Sequence, residues 1–209
     1  MITKETGRGA NRLMVGTLFL GASTIALLTG PPVQAHTGTG TVSGFQSGLA
    51  HPFFGLDHLL AMLAVGIWGA QMGGRPVWTL PMTFPIIMAL GGLFGMSGFS
   101  LPHVEMGIAV SVLALGSAIA CAWKPAEWLA LGLIAVFAIF HGYAHGVELP
   151  RSADPASYAA GFVIATGLIH VVGIGIGLLL GGLFHGRVAQ GLGTGIALAG
   201  LYFAVPRVS

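Results

Sequence analysis

Charge is what this sequence has least of. Only 7% of its 209 residues are Asp, Glu, Lys or Arg, where a soluble domain carries about 25%. A soluble fold built from this chain would have too little polar surface to stay dissolved. Cys121 is the single cysteine, which excludes an intramolecular disulfide and a thiolate cluster for a soft metal. No GxxxxGK[ST] run occurs, so ATP hydrolysis by a P-loop is excluded as well. No polar stretch is long enough to make a separate soluble domain.

What is present in quantity is apolar. Hydrophobic residues make up 55% of the chain, glycine accounts for 35 residues, and the mean hydropathy is +0.88. The fold class these values predict is all-α, a polytopic membrane protein with closely packed helices. Residues 1–35 read as a signal peptide: Lys4, Arg8 and Arg12 precede an apolar stretch from Leu13 to Leu28, and Val33-Gln34-Ala35 offers a small-residue cleavage site. An uncleaved first membrane helix is the alternative. That segment holds three of the eight basic residues and one of the six acids, so the chain from His36 onward is formally neutral. The pI near 9.0 therefore belongs to the leader and gives no ground for nucleic-acid binding.

From residue 36 to 209 the sequence predicts one six-span transmembrane domain, with apolar segments at 48–70, 77–99, 104–122, 127–147, 156–183 and 188–206. Each can cross a hydrocarbon core of about 30 Å. If His36 is exported, Arg75, Lys124 and Arg187 fall inside, and Arg151 and Arg207 fall outside, a weak positive-inside bias. Glycines recur at spacing four (Gly91 and Gly95; Gly173, Gly177 and Gly181; Gly191 and Gly195), which predicts close helix contacts. Pro81 and Pro85 inside the second span predict a bend, static or hinged, that frees carbonyls.

Against this background the polar residues stand out, because a charge in hydrocarbon costs at least about 2.5–3.5 kcal/mol and persists mainly where it has a task. The first span opens His51-Pro52-Phe53-Phe54-Gly55-Leu56-Asp57-His58. On a continuous helix His51 and His58 share a face, and Asp57 is a ligand or an acceptor that fixes a histidine tautomer. Asp57 would lie about 9 Å below His51 and begin a descent towards the midplane. Met62, one turn below His58, is a core filler before it is a thioether ligand. In Phe140-His141-Gly142-Tyr143-Ala144-His145-Gly146-Val147-Glu148, the spacing i, i+4, i+7 puts His141, His145 and Glu148 on one stripe. His103 and Glu105 open the third span at the same outer level. His170 lies deep in the fifth span, either a packing residue or a relay ligand. His185 reads as a loop residue on the inner side, and His36, if N-terminal, chelates through amine and imidazole together.

Imidazole and carboxylate donors without cysteine suit divalent nickel, cobalt or zinc over cuprous copper. The two motifs, His-Pro-x-x-Gly-x-Asp-His followed by Leu59, Leu60, Met62 and Val65-Gly66, and Phe-His-Gly-x-Ala-His-Gly-x-Glu, resemble the HupE/UreJ family of nickel permeases. The resemblance covers nearly the whole chain after the leader. It implies nickel import linked to hydrogenase or urease maturation, with functional roles for His51, Asp57, His58, Glu105, His141 and His145. Cobalt-linked members leave the ion open. The expected cargo is Ni²⁺, with Co²⁺ or Zn²⁺ as alternatives, and no organic cofactor. The expected partners are the ion and the lipid bilayer, with homo-oligomerisation open and no nucleic acid. The expected place is the bacterial inner membrane, with the mature N-terminus periplasmic. The rival to this non-enzymatic reading is an intramembrane zinc hydrolase, in which three histidines, an aspartate and an open coordination position activate water.

Overall fold

In the computed structural model the described residues are 44–150 and 153–205, and their regular structure is helical throughout. The chain runs through α1 (Gly44–Ala50), a 3-10 turn (His51–Phe53), α2 (Leu56–Met72), α3 (Pro76–Met96), α4 (Val104–Ala120), α5 (Glu127–Val147), α6 (Pro155–Gly181), a second 3-10 turn (Leu183–Gly186) and α7 (Arg187–Ala204). The expected leader, His36, Arg151 and Arg207 lie outside the described residues.

Local sequence accounts for the boundaries. Pro76 and Pro155 stand in first turns, where the missing N–H has no partner to lose. The Asp154 carboxylate accepts the Ser157 N–H at 2.8 Å and caps α6; that bond holds its pKa below the usual aspartate value. Gly73 takes φ +74° just beyond α2, a conformation glycine adopts without strain. α3 runs as one helix through Pro81 and Pro85.

Three helices, α3, α5 and α6, are long and apolar enough to cross a membrane, and a fourth span results if α1, its 3-10 turn and α2 are taken together. That first segment differs from the expectation. The sequence predicted one helix over 48–70, whereas the chain bends by 80° between Phe53 and Leu56. The cause is local: Gly55 adopts an extended φ of −100° and ψ of 111°, and α2 starts afresh after it. α4, at 17 residues, is apolar but shorter than the other candidates.

α2 is the hub of the bundle, packed against α6, α4 and α3, while α3 pairs with α5 and α4 with α7. The glycines explain how closely these pairs approach. A Cβ on Gly142 or Gly146 would run into the backbone of Met88 or Gly92, and one on Gly91 or Gly95 into that of Ile139 or Tyr143. Gly66 and Gly173 bring α2 and α6 together in the same way. The spacing argument fails for α7. Gly191 and Gly195 face open space, and Gly193 and Gly200 make the contact with α4; Gly181 is also open. Spacing four marks a small-residue face but not which face is used.

Trp68, Phe84, Met62, Ile67 and Leu80 are fully buried in the core. On the outside of α3, Trp78, Met82, Ile86, Leu90 and Leu93 form an exposed apolar stripe, the surface a lipid-facing helix needs.

Candidate metal centre

The polar residues of α2 and α5 meet because a turn, not a shared helical face, carries His51 to the others. His51 lies in the 3-10 turn with Pro52 next to it. His58 lies in the first turn of α2, and His141 and His145 in the last two turns of α5. Gly142 and Gly146 let α5 press against α3, which turns the histidine stripe inward. The His51 ring stands edge-on to His145 at 4.8 Å between centroids, and His145 lies 4.4 Å from His58. His58 in turn stands edge-on to His141 at 5.1 Å. Four imidazoles thus form one chain, with His145 and His58 in the middle.

Their hydrogen bonds decide which nitrogens remain free. Asp57 Oδ1 accepts the backbone N–H and the Nδ1–H of His58, both at 2.9 Å. His141 Nδ1–H donates to the Phe137 carbonyl at 2.9 Å. With each Nδ1 committed as a donor, the Nε2 atoms of His58 and His141 carry lone pairs, and both are buried without a hydrogen-bond partner. Both nitrogens of His145 are likewise buried and without one, Nδ1 lying 3.8 Å from Glu148 Oε2. Orphaned buried nitrogens are costly, about 1–3 kcal/mol each, unless a ligand uses them.

The outer edge of the chain is closed by Glu148 at the C-terminal cap of α5. His51 Nε2–H donates to its Oε2 at 3.2 Å, and this bond holds the Glu148 carboxyl below the usual glutamate pKa. His51, His145 and Glu148 each offer one ligand atom, all within 4.8 Å of one another. Two donors on one ion at about 2.1 Å each stand at most about 4.2 Å apart. Glu148 Oε2 is already within that reach of both imidazoles, at 3.2 Å from His51 Nε2 and 3.8 Å from His145 Nδ1.

A cavity of about 340 Å³ is lined by His51, Asp57, His58, Glu105, His145 and Glu148, so Glu105 of α4 joins the site as the third carboxylate. Asp57 and Glu105 also line a neighbouring hollow with His103, which takes a left-handed φ of 56° at the start of α4. Asp57 therefore stands at the rim. The expected descent to the midplane required a continuous helix, and the break at Gly55 removes it. The remaining histidines lie apart: His170 is buried in the middle of α6, and His185 lines a different hollow with Gln71 and Lys124.

The walls escaped the sequence reading. Phe162 packs on His145 at 4.2 Å and Tyr158 on His51 at 5.8 Å, while Phe84 stands edge-on to His141 at 5.3 Å. Their spacing on α6, four residues apart, had the ordinary pattern of a core face.

Imidazoles flanked by carboxylates inside an apolar bundle are the donor types that suit a divalent transition-metal ion. The HupE / UreJ protein family matches residues 24–203. The chain is 44% identical over 179 residues to "Protein HupE" of Rhizobium leguminosarum bv. viciae, covering 85% of this chain and 93% of that protein. No solved structure matches.

Proposed function

The chain belongs to the HupE / UreJ family, and from that premise we propose that it carries Ni²⁺, or the chemically similar Co²⁺, across the inner membrane into the cytoplasm for maturation of hydrogenase or urease. The observation that carries the reading is the four-imidazole chain, His51–His145–His58–His141, with free nitrogens buried beside Asp57 and Glu148. Carboxylates at the rim draw in a hydrated dication, and imidazoles replace its water as it enters. His51, His145 and Glu148 receive the ion first, and His58 and His141 hold it next. Neighbouring sites of moderate affinity favour throughput, since one very tight site would trap the ion.

In the same reading residues 1–35 are a leader and 36–209 form six spans, with α4 and α7 completing the bundle. The histidine end faces the periplasm. Arg75, Lys124 and Arg187 then lie at the cytoplasmic end, where Arg75 Nε is 3.9 Å from Glu127 Oε2 and Thr79 donates to Glu127 Oε1 at 2.8 Å.

Uptake of radiolabelled nickel into proteoliposomes tests the proposal. Purified protein is expected to transport, and His145→Ala and His141→Ala to lose at least tenfold in rate. Wild-type rates in both variants would refute the assigned path. Cleavage of lipid amides or peptides by purified protein that transports no ion would replace transport by zinc-dependent hydrolysis.

A further inference from the structure

Beneath the four imidazoles the polar features do not stop. Tyr158, Phe162, Thr166 and His170 follow at spacing four along one stripe of α6, each step about 6 Å deeper. The first two touch the outer imidazoles. The next two are buried, and neither Thr166 Oγ1 nor either nitrogen of His170 has a hydrogen-bond partner. His170 is 1% exposed, so it has no solvent to turn to.

One ring separates His170 from the outer chain. Phe84, fully buried, stands edge-on to His141 at 5.3 Å and edge-on to His170 at 5.4 Å. It is carried by α3 between Pro81 and Pro85. Pro85 has no N–H to give the carbonyl four residues before it, so the Pro81 oxygen lacks its helical donor. That oxygen interacts with His170, yet no hydrogen bond of ordinary geometry joins them. An imidazole and a freed carbonyl oxygen therefore face each other in the bundle interior. A carbonyl freed at such depth is tolerated where it is buried in protein or lines a cavity.

We propose that His170, with the Pro81 carbonyl, is a second, inner station for the same divalent ion, and that the Phe84 ring is the plug between it and the outer imidazoles. The inference rests on the transport reading above. Passage requires the Phe84 side chain to leave its place between the two histidines, so the two stations are joined only while that ring is displaced.

The test replaces Cys121 by Ser to remove the native thiol and adds His170→Cys. Cobalt is then supplied to the purified protein. A thiolate-to-cobalt charge-transfer band in the near ultraviolet is expected in the double variant and not in Cys121→Ser alone, because the band needs the metal on the sulfur at position 170. In proteoliposomes His170→Ala is expected to lose at least tenfold in uptake while binding nickel at the outer site within threefold of the wild type. Phe84→Ala is expected to change uptake by more than threefold, and wild-type uptake in that variant overturns the plug. Absence of the band overturns the proposal, and so does His170→Ala uptake within twofold of the wild type. If His170→Ala does not fold, the band decides. Failure of the transport reading is distinguishable, because the wild-type protein itself would then bind no nickel and His145→Ala would change nothing.

Discussion

Replacing Asp57 by Asn tests the outer site with the least disturbance. The amide is the same shape as the carboxylate, and its oxygen still accepts the two His58 bonds now made at 2.9 Å. What is lost is the negative charge that holds His58 Nδ1 protonated and Nε2 free for metal. Loss of an acceptor behind a metal-binding histidine costs about 10- to 100-fold in affinity, about 1.4–2.7 kcal/mol. Asp57→Asn is expected near the lower end, and Asp57→Ala, which removes the acceptor altogether, near the upper. Asp57 is also the acid in the first turn of α2, where a charge contributes about 0.3–1 kcal/mol against the helix dipole. Thermal unfolding in detergent should therefore fall only slightly in both variants. Isothermal titration with nickel gives the affinities. If both variants bind within threefold of the wild type, the tautomer argument is wrong and His58 does not depend on Asp57.

Uptake should fall with acidification through a measurable midpoint, since protonated histidines cannot ligate. Glu148 should not set that midpoint. Its pKa is lowered by His51, so its contribution is complete above the ordinary glutamate value and is lost only as pH falls through the lowered one. Glu148→Gln is thus expected to weaken nickel binding at pH 7; binding within twofold of the wild type would contradict this. Gly142→Val should destabilise the bundle, because the added carbons meet the backbone of Met88 and Gly92. Overpacking of this kind costs about 1–3 kcal/mol or more, whereas Gly132→Ala, inside α5 on a position facing open space, should unfold slightly above the wild-type temperature, since alanine is the better helix former by about 0.5–1 kcal/mol. Trp68→Phe should lower stability by about 1 kcal/mol, by removing the bond from Trp68 Nε1–H to the Trp123 carbonyl at 2.9 Å.

The sequence by itself determined the class of the protein and the chemistry of its site. Apolar runs with so few charges leave helices in lipid as the stable solution, and isolated histidines and acids in such runs are too costly to be incidental. His141, His145 and Glu148 were legible as one stripe because a helix repeats every 3.6 residues and α5 is unbroken. His51, Asp57 and His58 were legible as participants but not in their arrangement. A single extended residue, Gly55, breaks the helix on which that geometry depended, and a backbone break of this kind carries no periodic signal. Which glycines touch, Gly193 and Gly200 rather than Gly191 and Gly195, depends on the rotation of α7 against α4, a property of two helices and not of one. The same holds for Phe84. Its sequence shows an aromatic between two prolines, and only the packing of α3 between α5 and α6 places that ring against His141 on one side and His170 on the other.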